Sequence, residues 1–422
     1  MLSAGNLGPG YSWDKRIKYL TGDSALLLNR STWELFGKVN KCEFLNLNIP
    51  EKKHYNYMDQ EICNTFNEIK IDFSKWVIPL SGGYDSRYIL SMLKDKNGIS
   101  TITWGSGKLR YQKGNDAYIA KKVAEKYGVN NLYFELDLNK NEIEKILNYF
   151  IICGEGRIDH LFGYTDGFAM WKYLFENNIK GIIRGDVCFS NQVVLSEYDV
   201  RFKIGFPLCT DFSNLNNYID FGLPKQIWPE FLSIKKQESL QNWRDRIYQQ
   251  LRIPVVLAAL SDLKLPYIEV INPFLSKRII YQSRKLPEHL RLTKTLFKKL
   301  AISKDTSGIE YARYNTYIDR ENILKFKCFV DILKDELVSF LDDATLPNDF
   351  LKYVLSNLTV TSKNRRNNVG MVKDFIKIFI PLKLRNILKN KMEVIKKPIL
   401  DFNVLAFRCY IICKINKRIQ AD

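Results

Sequence analysis

Trp76 to Lys94 reads WVIPLSGGYDSRYILSMLK, and the rest of the chain is organised around it. The apolar run Trp76, Val77, Ile78 and Leu80 has the length and composition of a short buried strand, and Tyr88, Ile89, Met92 and Leu93 recur at the spacing of a helix core face. Between them lies Ser81-Gly82-Gly83-Tyr84-Asp85-Ser86. A strand that turns through two glycines straight into a helix leaves several backbone N–H groups without intrahelical partners, beside the positive end of the helix dipole. That arrangement is an anion site. Gly82 and Gly83 allow close backbone approach, Ser81 and Ser86 add hydroxyl donors, and Asp85 is suited to the magnesium that accompanies a polyphosphate. No lysine follows the glycines, so the loop is not of the GxxxxGK[ST] type.

Working outward, Asn97-Gly98 marks a turn and Ser100 to Trp104 a second strand that ends in Gly105-Ser106-Gly107. Asn115-Asp116 caps a helix carrying Ala117, Ala120, Ala124 and Tyr127, with Gly128 at its C-terminal end. Asn131 to Leu136 reads as a third strand, Thr165 to Asn178 as a helix, and Lys180 to Arg184 as a fourth strand that stops at Gly185-Asp186. Strands alternating with helices imply an α/β fold with a doubly wound parallel sheet. From about Asn216 the pattern turns helical, with Ile253 to Leu263, Ser276 to Leu286 and Leu292 to Ile302 as helices. In such sheets ligands bind outside the carboxyl ends of the strands, and the Ser81 to Ser86 loop, the Gly105 to Gly107 turn and Gly185-Asp186 all sit at such ends. With the first and fourth strands adjacent, Asp85 and Asp186 would flank one magnesium. The glycine-rich loop Cys153 to His160 is a candidate substrate contact, with Arg157 offering two parallel donors to a carboxylate.

The 422 residues, 46% of them hydrophobic, are enough for two or three domains with real cores. MLSAGNLGPG lacks the pattern of a signal peptide, and no apolar run approaches a spanning helix, so a cytoplasmic protein without a transmembrane segment is expected. Eight cysteines without a CxxC pair, and three scattered histidines, favour reduced thiols and disfavour zinc. The net charge is +18, and Ser362 to Lys397 supplies half of it, with eleven Lys or Arg against Asp374 and Glu393. Val369 to Lys397 mixes Phe375, Ile376, Phe379 and Leu382 with basic residues. It reads as a terminal helix packed by its apolar side; contact with a partner or an anionic membrane surface is the other reading.

The SGGxDS string resembles the pyrophosphate loop of the N-type ATP pyrophosphatases, in the form found in the synthetase domain of the asparagine synthetase family. The looser resemblance runs from about Lys53 to Thr316. It includes Thr101 to Trp104 with Asn115-Asp116, Asn272-Pro273-Phe274-Leu275, then Leu286-Pro287 and Lys294, and it matches Asp186 to the family's second magnesium aspartate. It implies an ATP pyrophosphatase-like (HUP-type) α/β domain over residues 53–215 and a helical half over 216–320. Residues 1–52 precede them, and a helical, basic region follows over 321–422. It also implies ATP and Mg2+, with a carboxylate adenylated, pyrophosphate released, and ammonia or an amine attacking the acyl-adenylate. Nucleotide contacts would come from Leu80, Ser81, Gly82, Gly83, Tyr84, Asp85, Ser86, Trp104, Ser106 and Lys294. Metal would lie at Asp85 and Asp186, and substrate at Arg157, Asp159 and Arg184.

Three departures matter. Residue 2 is Leu and the first cysteine is Cys42, so no N-terminal glutaminase domain is expected and ammonia would come from a separate glutaminase. The residue three before the second aspartate, an acid/base in well-known members, is Ile183, which cannot take a proton. The late lysine that stabilises leaving pyrophosphate in the family has no clear match; Lys304 or Arg313 would stand in as the catalytic cation, with Asp85 the other expected catalytic residue. The resemblance implies a small-molecule or peptide carboxylate as substrate, as in surface polysaccharide or modified-peptide synthesis. Two alternatives stand: an RNA-modifying adenylating enzyme, which the cysteine spacing disfavours, and a degenerate nucleotide-binding protein, which Ile183 permits.

Overall fold

The structure is a computed structural model that describes residues 1–422 except 15, 18, 21, 40, 41, 97, 108, 109, 137, 139–141, 189–191, 314–322, 362–396 and 422. Two compact units divide the chain. The first comprises Met1, Ser3–Phe206 and Trp228–Ile318; the second comprises Leu2, Pro207–Ile227 and Asp319–Asp422.

The first unit opens with an antiparallel hairpin, β1 (Ser24–Leu28) and β2 (Leu35–Val39). After α1 (Glu51–Glu68) the main sheet begins with β3 (Trp76–Pro79), followed by α2 (Tyr84–Met92), β4 (Ser100–Gly105), α3 (Asp116–Tyr127) and β5 (Asn130–Glu135). Then come α4 (Ile143–Gly154), α5 (Ala169–Glu176), β6 (Gly181–Ile183), α6 (Glu197–Ile204) and α7 (Leu240–Ile247). A π-helical segment, Tyr248–Leu257, continues into α8 (Ala258–Asp262). The unit closes with β7 (Glu269–Ile271), α9 (Lys277–Lys285), α10 (Glu288–Arg291) and α11 (Thr295–Lys304).

The five main strands are parallel in the order β5-β4-β3-β6-β7, with Val77 opposite Ser100 on one side of β3 and Ile182 on the other. The α/β expectation holds. The chain leaves β3 toward β5 and returns to the opposite side at β6, so the strand order reverses between β3 and β6. A crevice at such a reversal is where this sheet type binds ligands. Trp76, Val77 and Ile78 are buried, and Tyr88, Phe274 and Phe297 pack edge and face with centroids 4.9–5.3 Å apart beneath the loop.

Local chemistry explains the helix that the sequence marks best. Asn115 Oδ1 accepts the Ala117 N–H at 3.0 Å to start α3, and Gly128 ends it at φ 67°. Elsewhere the structure corrects the reading. Glu269–Ile271 is a fifth strand where the pattern read as helix, because three residues are too few to show a period. The stretch Thr165 to Asn178 is helical only from Ala169, since Asp166 accepts the Phe168 and Met170 N–H groups while Gly167 and Phe168 turn left-handed. Helix α4 was not anticipated. α11 begins at Thr295 rather than Leu292, because Thr293 and Lys294 have φ 53° and 59°.

The second unit is helical among the described residues: α12 (Lys327–Ser339), α13 (Asn348–Ser356) and α14 (Phe402–Ala421). Buried Asn403 ties it together, donating to Leu324 O and Thr359 O at 2.9 Å each and accepting from Thr359 N at 3.1 Å. Cys409 and Cys413, one turn apart on α14, are buried, and burial raises both thiols. Except for Lys397, the basic stretch Ser362 to Lys397 lies outside the described residues. Among the described residues, no helix is long and apolar enough to cross a membrane.

Candidate active site

The loop after β3 is held in shape by its own side chains. Ser81 N–H donates to Ser86 Oγ at 2.9 Å, the two hydroxyls lie 3.0 Å apart, and Gly83 N–H reaches Ser81 Oγ at 3.2 Å. Gly82 N–H is taken by Asp116 Oδ1 at 2.7 Å. Gly82 is glycine for want of space: a β-carbon there would stand 2.6 Å from the Ala312 methyl and 2.9 Å from Ile119 Cβ. No side chain caps α2 at Gly83, so its first-turn amides lie at the edge of the cleft that Asp85 and Ser86 line.

That cleft measures about 350 Å³, and its walls include Leu80, Ser81, Asp85, Ser86, Trp104, Arg184 and Asp186. Gly185 lets the β3 and β6 loops meet, since a β-carbon on it would lie 3.0–3.2 Å from Asp85 backbone and Cβ atoms. Each aspartate is oriented by a cation: Lys294 Nζ sits 2.5 Å from Asp85 Oδ2, and Arg184 NH2 3.0 Å from Asp186 Oδ1. Asn272, with its amide nitrogen turned toward them, donates to Asp186 Oδ2 and Arg184 O at 3.2 Å each. Among the described residues no group of three or more His, Cys, Asp or Glu gathers as a metal site. Two carboxylates on one cleft instead suit a magnesium that arrives on phosphates, because this ion keeps waters and substrate oxygens as its other ligands.

Lys294 is placed at a cost. Two successive non-glycine residues in the left-handed region, one of them the β-branched Thr293, are strained, and such strain concentrates at functional sites. The lysine also stands at the N-terminus of α11, where the dipole disfavours a positive charge.

The other expected residues are dispersed. Tyr84 does not line the cleft and stacks on Tyr311 at 3.9 Å. The Ser106 carbonyl accepts the Tyr133 hydroxyl at 2.9 Å beside Gly105. Arg157 pairs with Asp262, and Asp159 bonds His160 at 3.1 Å and lies over Gly5; neither lines the cleft. Lys304 is engaged with Asp59 at 2.9 Å, and Arg313 with Glu310 at 2.9 Å.

Several further residues near the loop were not expected as site residues. Asp116 lines the cleft; burial raises its pKa, partly offset by the Gly82 N–H. Its place after a strand end was the available signal. Arg87 is fully buried and grips Asp305 at 2.9 Å, Ile309 O at 2.7 Å and Glu310 O at 2.8 Å, with Tyr311 stacked against its guanidinium. Ala312 N–H then donates to Gly82 O at 3.0 Å. Near Arg184, Lys264 is buried against the Tyr164 and Trp171 rings and donates to the Tyr164 hydroxyl at 2.9 Å. Burial first, then the Arg184 charge, drives its pKa well below normal.

No curated protein matches the chain. The sequence model of the family described as Asparagine synthase matches residues 75–174, about a quarter of the chain, from β3 to α5. This match supports ATP-dependent ligase chemistry with adenylation in general. Residues 75–174 are thus similar to the asparagine synthase family, and the loop after β3 and the parallel strands β3 to β5 lie within that stretch.

Proposed function

We propose that the protein forms amides by adenylating a carboxylate with ATP and passing the acyl group to ammonia or an amine. The observation that carries this reading is the convergence of Ser81, Ser86, Asp85, Asp186 and Lys294 at the reversal between β3 and β6.

Ser81 and Ser86 hydroxyls and the uncapped N-terminus of α2 hold the β- and γ-phosphates. Asp85 and Asp186 would hold magnesium, which when bound neutralises charge on the phosphates. Lys294 exchanges Asp85 for the leaving pyrophosphate, where a cation offsets charge that builds as the bond breaks. The substrate carboxylate oxygen bonds to the α-phosphorus as the α–β bridging bond breaks, releasing pyrophosphate. The nitrogen nucleophile then attacks the acyl carbon and AMP leaves. Ile183 is buried in β6 and takes no proton, so the amine enters neutral and loses its proton to solvent or to the departing phosphate. The carboxylate is a small molecule or a peptide.

The test is product analysis with ATP, magnesium, ammonium and pools of carboxylic acids that include uronic acids and peptides. AMP and pyrophosphate from one pool support the reading; ADP would show that a different bond breaks. Ile183 favours one second reading, a nucleotide-binding protein without chemistry, which tight ATP binding with no AMP from any pool would establish.

A further inference from the structure

A second cavity, of about 100 Å³, lies in the first unit, and the cleft residues do not line it. Its walls are the N-terminal stretch around Tyr11, Tyr19 and Leu20, the side chain of Phe231, the π-helical segment at Pro254 and Val255, and Arg157. Residues 3–14 are fastened in place as a wall. Asn6 Nδ2 donates to Gly205 O at 2.9 Å, Asp159 N–H to Gly5 O at 2.9 Å, and Trp13 Nε1 to Glu155 O at 2.8 Å. Gly8 and Gly10, at φ 85° and 70°, arch the chain around the cavity.

Three observations mark it as a ligand site. Tyr11, Tyr19, Leu20 and Phe231 are 43–59% exposed around one mouth, a cluster of large apolar side chains that a ligand would cover. The adjoining helix is wound as π over Tyr248–Leu257, a geometry that is rare and gathers at functional sites. At the base, Arg157 Nε is buried without a hydrogen-bond partner, although Glu155 Oε2 lies 3.3 Å away as an ion pair and Asp262 engages the terminal nitrogen.

One guanidinium facing two carboxylates leaves no excess positive charge for an anion. It does leave an N–H for a neutral acceptor. A cavity of this size admits one aromatic ring or a short alkyl chain. The same π segment approaches the cleft: Gln249 Nε2 donates to Cys188 O at 3.0 Å, two residues from Asp186.

We infer that this cavity binds an aromatic or short alkyl group bearing a neutral carbonyl oxygen, and that it recognises the apolar part of the substrate whose amide is made in the cleft. The second half rests on the amide-forming reading above. The test uses the full chain and benzamide as probe, followed by ligand-observed NMR and calorimetry without nucleotide. Benzamide is expected to bind the parent protein. Binding is expected to vanish in Val255→Trp, which fills the cavity, and in Leu20→Trp, which blocks the mouth from an exposed position. Arg157→Met is expected to weaken it about tenfold, with ATP binding unchanged in all three. No binding by the parent, or equal binding by both tryptophan variants, would overturn the inference. AMP formation that persists when benzamide binding is lost would remove the cavity from the reaction. Benzamide binding without AMP from any pool would keep the site while removing the amide reading.

Discussion

The two ends of α11 carry the same kind of bond to α2 in opposite surroundings. At its start, Lys294 meets Asp85 at 2.5 Å with the side chains 14% and 31% exposed; past its end, Asp305 meets Arg87 at 2.9 Å with 7% and 1% exposed. Both α11 charges oppose the helix dipole, a cation at the N-terminus and an anion at the C-terminus, and each is compensated from α2. The buried pair is surrounded by further donors, Tyr127 at 2.9 Å and Ser307 N–H at 2.9 Å on Asp305 Oδ1, so it has one geometry. Among the described residues no further hydrogen bond holds the cleft pair, so it can exchange. Burial turns the same chemistry into a hinge pin at one end and a transferable charge at the other.

The comparison is broken most severely at Asp85. Asp85→Asn is expected to abolish AMP formation with the melting temperature unchanged; undiminished turnover would remove Asp85 from the chemistry. Arg87→Met should do the reverse. It strands Asp305 and should cost about 3–5 kcal/mol in urea unfolding, with loss of ATP binding following only from loss of the fold. A cost below about 1 kcal/mol would mean that the pair is not the anchor described. Lys294→Met should lower the AMP rate about 10²–10³-fold and leave stability within about 0.5 kcal/mol, since it relieves an unfavourable helix-end charge; an equal loss of stability would make both pairs structural.

The smallest effect is acid sensitivity. Burial alone would raise the Asp305 carboxyl, but the hydrogen bonds from Ser307, Arg87 and Tyr127 outweigh it and hold it below the usual range. A depressed folded value means that the stabilisation is complete above the unfolded carboxyl pKa of about 4 and is lost as pH falls through the folded value. The gap in melting temperature between the parent and Asp305→Asn should therefore narrow below about pH 4. A gap that stays constant on acidification would exclude this linkage.

What the sequence disclosed follows from range. The Ser81 to Ser86 loop and Asp186 were legible because strand, turn and helix are read within a dozen neighbouring positions. Arg87 looked like any polar residue on a helix, and its burial depends on residues 305–311, which no local pattern brings near. Asp116 read as a helix cap because its bond to Gly82 crosses from β4's loop to β3's. β7 was too short to show a period, and the composition of the Arg157 loop gave chemistry without direction.

The contact between Ala312 and Gly82 has a consequence for how the site comes into being. The Ser81 to Ser86 loop is encoded near the start of the sheet, yet its backing methyl and one of its backbone bonds come from residue 312, and contacts so distant in sequence form late. During synthesis the sheet strands β3 to β6 emerge well before that residue. A settled Ser81 to Ser86 loop is therefore a property of the finished unit, and a nascent chain or a fragment ending near residue 174 would carry the signature without it.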